Sequence, residues 1–276
     1  MANNDGEITL KTSKSGSRTV ATITASRVRK LNSLNTRLLE QLAALINDAI
    51  HQNEDLGCIV LTGSGDRAFI AGADINEMAK IGSPAKARAF ISRVHAVCEA
   101  IRNCPVPVIA RVNGVAFGAG MEIAACCDII VANPKAQFSM PEVRIGIPSV
   151  VEAAVLPGLI GWNRTRYLLL TGATITARVA QEWGLVAEVA QEGQLDQKVA
   201  QLVNIICECG AKSVRIQKQL IKRWEQVSLD VAIKDGIQFF GSAFETEEVK
   251  PGPATLTSEP QVMMKHFFDK KSSSKL

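Results

Sequence analysis

Two glutamates in this chain have the setting that acid/base chemistry needs. Glu122 lies within RVNGVAFGAGMEIAACCDIIV, residues 111–131, a run that is otherwise mostly apolar or small. Glu142 follows twenty residues later, in SMPEVRIGIP. A carboxylate in apolar surroundings is costly unless it is paired, hydrogen-bonded or shifted in pKa. Two of them close to a glycine-rich turn point to proton transfer beside a backbone anion site. Two turns could form that site. FIAGADI holds Ala71-Gly72-Ala73 between a strand and a helix, and FGAGME holds Gly118-Ala119-Gly120 in the same setting. Small residues let a ligand approach the backbone, and a following helix aims free N–H groups outward. Two such amides converging make an oxyanion hole. Neither turn fits the dinucleotide pattern GxGxxG, and neither ends in the Gly-Lys-Ser/Thr of a phosphate loop.

The other titratable groups carry weaker signals. Glu142 follows Pro141, so an exposed acid at a helix start is its structural alternative, and the functional reading is preferred over it. For Glu152 the helix-start reading is instead the preferred one. Capping and loop hydrogen bonds account for Asp74 and Asp128, with Asp74 able to support its turn. His51, His95 and His266 are scattered with no nucleophile motif beside them, which argues against a hydrolase triad. Seven cysteines, an odd number mostly in apolar segments, argue against disulfides and for a thiol-tolerant compartment. Cys207-Glu208-Cys209 lacks the partners for a zinc site, so no metal is expected. Lys212, Arg215, Lys218, Lys222 and Arg223 read as a solvated helix face; without interleaved aromatic residues they make a poor nucleic-acid surface.

The elements that must position these residues are legible in the apolar pattern. Residues 8–11 and 19–24 read as two strands about a Ser15-Gly16-Ser17 turn. Leu38, Leu39, Leu42, Leu45 and Ile46 make one helical stripe after Asn35. Residues 57–62, 108–112 and 128–132 are short apolar runs typical of buried strands, and 85–103 is a long helix broken by Pro105-Val106-Pro107. Residues 114–120 read as a glycine-rich turn into the helix that carries Glu122. Beyond Gly161 the pattern is mainly helical, over 164–170, 176–183, 195–207 and 213–227, with a short strand at 186–189. At 276 residues and 47% hydrophobic content the chain can bury a full core, and its net charge of +4 is mildly basic. No apolar run reaches membrane-spanning length, and MANNDGEITL lacks a signal-peptide core.

Taken together, FIAGADINEM, PVPVIARVNGVAFGAGMEIAACCDIIVANPKAQFSMPEVRIGIP and LLLTGATITARVAQEWGLVAEV resemble the crotonase (enoyl-CoA hydratase/isomerase) superfamily, over residues 6–250. Lys30-Leu31-Asn32-Ser33-Leu34-Asn35 resembles that family's early CoA-contacting loop. The resemblance implies an α/β fold: a spiral of strand–strand–helix units making two nearly perpendicular sheets, with a C-terminal helical region. It divides the chain into a core at 1–205, a helical oligomerisation region at 206–265 and a tail at 266–276, and implies a homotrimer or hexamer. It implies an acyl-CoA thioester as substrate, with CoA as part of that substrate and no separate cofactor or metal. The amides of Ala73 and Ala119 would then hold the thioester enolate oxygen. Ala71, Gly72, Ala73, Asp74, Ile75, Gly118 and Ala119 would contact the substrate. Glu122 and Glu142 match the family's two hydratase glutamates, with Glu142 as the principal proton donor to C2 and Glu122 as the water-orienting base.

The implied reaction is syn addition of water to a 2-enoyl-CoA. A Δ3–Δ2 enoyl-CoA isomerase, or a non-catalytic member that binds acyl-CoA or RNA, is the alternative. The sequence departs from the family at 147–154, IPSVVEAA, where hydratases carry Pro-Gly-Ala-Gly-Gly-Thr-Gln-Arg along the acyl pocket. Ser274-Lys275-Leu276 matches the peroxisomal address read by an import receptor.

Overall fold

The computed structural model describes residues 5–245. Two compact units divide between Glu208 and Cys209. The larger opens with an antiparallel hairpin, β1 (Glu7–Ser15) and β2 (Arg18–Ser26). Helix α1 (Thr36–Gln52) follows; the Asn35 side chain caps it by accepting from the Leu38 amide. Leu38, Leu39, Leu42, Ile46 and Ala49 form its buried stripe, the one its sequence spacing predicts.

From there the chain alternates between two mixed sheets. Strand β3 (Leu56–Gly63) belongs to the large sheet and β4 (Ala68–Ile70) to the small one; α2 (Ile75–Met78) and α3 (Pro84–Asn103) then cross over. The pattern repeats with β5 (Val108–Val112), β6 (Val115–Phe117) and α4 (Ala119–Cys126). It starts a third time with β7 (Ile129–Ala132) and β8 (Gln137–Ser139). A 3-10 turn (Glu142–Ile145), a 3-10 segment (Val151–Val155) and helix α5 (Leu156–Thr171) come next. The unit ends with β9 (Thr174–Thr176), α6 (Ala177–Trp183), β10 (Glu188–Val189) and α7 (Leu195–Glu208).

The large sheet runs in the order β1-β2-β3-β5-β7-β10, parallel from β2 onward, and the small one β4-β6-β8-β9. In the small sheet β4, β6 and β8 are parallel neighbours, and β9 closes the edge antiparallel to β8. The core lies between the elements: Leu38 and Leu42 of α1, Leu61 of β3, Val97 and Ile101 of α3, and Ile123 of α4 share one buried cluster. This is the α/β architecture with two sheets and C-terminal helices that the resemblance implies. The second unit contributes α8 (Ala211–Trp224) and α9 (Leu229–Ala243), which pack on each other.

The structure departs from the sequence reading in particular places. Residues 114–120 are not one turn, because β6 occupies their middle. Helix α5 starts at Leu156, ahead of the expected 164, and takes in Gly161, which breaks it at φ +77°. Lys218, expected on a solvated face, is buried. The Ser-Lys-Leu tripeptide and the segment 266–276 lie outside the described residues.

Candidate active site

Three parallel neighbours, β4, β6 and β8, leave the small sheet at the same edge, and the candidate residues stand where they leave. After β4 comes 71–74, after β6 come Gly118 and Ala119, and after β8 comes Glu142. Strand ends of this kind are where α/β folds place their sites.

Close backbone approach joins the first two. Gly72 has φ +114°, and a Cβ there would fall 3.1 Å from the Phe117 carbonyl oxygen and 4.0 Å from the Ala119 nitrogen. Gly120 is tighter: a Cβ would lie 1.8 Å from the Ile70 oxygen, so α4 can only begin this close to β4 without a side chain. The carbonyl of Gly72 accepts from Leu34, and the Asp74 amide donates to the Leu34 carbonyl, which pins the loop from the other side. Among the described residues neither the Ala73 amide nor the Ala119 amide has a hydrogen-bond partner. Ala119 is the first residue of α4, where an N–H has no intrahelical acceptor. Two free amides on adjoining loops are the donor pair of an oxyanion hole.

Asp74 secures this loop from below. It caps α2 through the Asn76 amide, 2.8 Å, and forms a buried ion pair with Arg27, 2.5 Å. Burial pushes its carboxyl up, but hydrogen bonds from Arg27, the Asn76 amide and Lys30 outweigh that and hold it at about 2. It is therefore an anchor, while the exposed Ile75 next to it is free to meet a ligand. A cleft of about 420 Å³ opens beside the Lys30 loop, lined by Arg27, Lys30, Arg37, Asp74 and Lys80 among others; Glu122 and Glu142 do not line it.

Both glutamates reach the same edge. All eight residues of α4 are buried, which leaves Glu122 only 4% exposed. Its Oε1 accepts from the Ala153 amide at 3.0 Å. Glu142 is half-buried, and the Ser149 hydroxyl donates to its Oε2 at 2.7 Å. Its Oε1 lies 2.5 Å from where a Gly118 Cβ would be, so the carboxylate occupies the place of that missing side chain. Burial pushes the Glu122 carboxyl up to about 8, helped by the charges of Glu142 and Glu152 and opposed by the Ala153 amide.

Glu152 stands in the first turn of the 3-10 segment Val151–Val155, the helix-start position expected of it, but it has a further contact there. It is buried, and its Oε1 meets His95 Nδ1 at 2.6 Å, so His95 is not an isolated histidine either. Sequence spacing could not show this, because the two residues are 57 apart and meet only when the 147–154 segment folds back onto α3. The one available signal was Glu152 itself, an acid within a segment that departs from the family pattern. Asp128 accepts from the Val108 amide at 2.6 Å, the structural part expected of it.

The raised Glu122 pKa has a consequence for stability. Between the unfolded value near 4.5 and about 8 the native state binds the extra proton, so stability falls as pH rises through that window. Glu122→Gln removes the term. The variant should be more stable than wild type at pH 8 and above, by a few kcal/mol, and near equal to it at pH 4.5, as read from denaturant midpoints at both pH values.

Comparison with known proteins matches this architecture to one family. The enoyl-CoA hydratase/isomerase family model covers residues 15–261. The chain is 35% identical over 232 residues to a short-chain-enoyl-CoA hydratase of Clostridium acetobutylicum, covering 84% of this chain and 88% of that protein. It is 34% identical over 234 residues to a crotonyl-CoA hydratase of Syntrophomonas wolfei, covering 84% and 89%. The crystal structure of an enoyl-CoA hydratase from Bacillus anthracis superposes with a TM-score of 0.81 at 29% identity, over 95% of this chain and 96% of that one. A spiral of two sheets, paired free amides and two glutamates at one strand edge thus accompany a match over most of the chain, and the chain belongs to the enoyl-CoA hydratase/isomerase family of the crotonase superfamily.

Proposed function

We propose that the protein is an enoyl-CoA hydratase that adds water syn across the double bond of a 2-enoyl-CoA. One observation carries the reading: two unpartnered amides and two carboxylates of unequal burial meet at the exit edge of β4, β6 and β8. The curated relatives named as hydratases support the same reaction.

The thioester carbonyl oxygen rests on the Ala73 and Ala119 amides. Water attacks C3, charge develops on that oxygen, and the two donors stabilise the enolate. One such donor is typically worth about 2.7–4 kcal/mol in the transition state. The enolate then takes a proton at C2. Burial, and then the neighbouring Glu142, favour the protonated form of Glu122. Glu142 accordingly accepts the proton of the attacking water, and Glu122 delivers its own to C2. This division reverses the one expected from the sequence. The Ser149 hydroxyl orients Glu142, and the Ala153 amide orients Glu122.

Two further readings accompany this one. The exposed apolar stripe of Leu229, Ile233, Ile237 and Phe240 on α9, continued by Phe244 at its C-cap, supports a homotrimer or hexamer. The Ser274-Lys275-Leu276 tripeptide supports recognition by a peroxisomal import receptor.

Each reading has its assay. Glu122→Gln and Glu142→Gln should each slow hydration of crotonyl-CoA by about 10²–10⁴-fold, and near-normal turnover removes that residue from the mechanism. A 3-enoyl-CoA run in parallel separates hydration from double-bond migration. Light scattering of the wild type should give three or six times the chain mass of 29.7 kDa, and a monomer mass refutes the oligomer. Removing residues 274–276 behind a fluorescent tag should abolish punctate import; unchanged puncta refute the address.

A further inference from the structure

Val151 holds φ +40°, a left-handed conformation disfavoured for a β-branched residue. The strain falls in the middle of 149–153, the segment that serves both glutamates. On one side of it the Ser149 hydroxyl donates to Glu142, and on the other the Ala153 amide donates to Glu122. Each carboxylate therefore takes a donor from a stretch of backbone that resists its own shape.

Between the two donors stands Glu152. It is buried, and among the described residues its one hydrogen bond joins Oε1 to His95 Nδ1 of α3, at 2.6 Å. Its Oε2 is buried without a hydrogen-bond partner. A carboxylate satisfied on one side only is a poor way to stabilise a fold. Its charge is also among the causes that push the Glu122 carboxyl up, so folding this segment over α4 brings like charges together. Strain and repulsion both favour a segment that lifts away from α4. Packing of Val151 and Ala153 on the core opposes this, and so does the contact with His95. That contact has a firm base. Val94, Val97 and Cys98, the neighbours of His95 on α3, are fully buried, while the His95 side chain is 52% exposed.

We infer that the His95–Glu152 contact is a clasp that holds the 149–153 segment closed on the glutamate pair, and that both are positioning residues for hydration. With the clasp made, Ser149 and Ala153 stay within reach of Glu142 and Glu122. Without it, Val151 relaxes out of the left-handed region and the donors on either side withdraw. No proton passes through the clasp. The inference rests on the hydratase reading of this site, but not on which glutamate delivers the proton to C2.

The test compares variants of the full chain with crotonyl-CoA as substrate. His95→Ala removes a half-exposed side chain and leaves the core packing intact. Its kcat should fall by about 10–100-fold, the scale on which misplaced catalytic groups lose rate, while KM stays within about threefold of wild type. His95→Asn sets a side-chain amide at the reach of Nδ1 and should recover most of that loss. Val151→Gly gives the deciding comparison. Glycine takes positive φ without strain, so the segment no longer needs the clasp. Val151→Gly should stay active, and adding His95→Ala to it should cost no more than about threefold in kcat. An unchanged kcat in His95→Ala, an Asn variant as slow as the Ala one, an inactive Val151→Gly, or a full loss in the double variant overturns the clasp. So does a His95→Ala chain that has lost its fold by circular dichroism, because the contact is then a support of the fold. Glu142→Gln assayed alongside separates the two levels. If it also turns over normally, the hydratase reading has failed; if it is slow while His95→Ala is not, only the clasp has.

Discussion

Helix α4 has no side facing water, so its single carboxylate has to be satisfied from within the protein. That requirement organises the rest of the site. The donor is a backbone amide, Ala153, from a segment that must fold back over α4 to reach it. For the segment to do so, Val151 adopts a backbone conformation that it resists. The beginning of α4 is constrained as strongly, because Gly120 sits against the Ile70 carbonyl with no space for a side chain. A helix fixed at its start and covered along its length holds one ionisable group in a medium that disfavours charge. The reactivity proposed for Glu122 follows from that confinement more than from any property of glutamate.

Convergence at one edge comes from topology. The chain visits the large sheet and then the small sheet, and does so three times in the same sense. Strands that are adjacent and parallel must release the chain on the same side. Residues separated by 45 or more positions, such as Ala73 and Ala119, are brought together without any sequence signal for their contact. The Arg27–Asp74 pair steadies the first of these loops. Breaking such a buried pair typically costs about 3–5 kcal/mol, so it is a firm support beneath a loop otherwise held by backbone contacts.

Legibility in the sequence followed element length. Helices α1 and α3 and strands β3 and β5 carry enough residues for a periodic pattern, and each lies close to where that pattern placed it. The small sheet is built from strands of three residues, too short for alternation to be distinguished from loop composition, so β6 reads as part of a glycine-rich turn and β8 and β9 carry no strand signal. Glu122 was visible because its surroundings contradicted its charge. Glu152 was not, since its burial comes from tertiary folding and its position near a helix start offered an ordinary explanation.

The 149–153 segment grips the site through two points of very different chemical generality. At Ala153 the donor is a main-chain N–H, which nineteen of the twenty amino acids can supply. At Ser149 it is a side-chain hydroxyl, which few can. Between these grips, the side chains at 150–152 are tied to neither glutamate by a hydrogen bond. With Glu152 held to His95, sequence drift at the other positions can remodel a stretch that the resemblance sets along the acyl pocket, while both carboxylates keep their partners. The lineage of this chain could therefore diverge in what it accepts without first dismantling how it reacts.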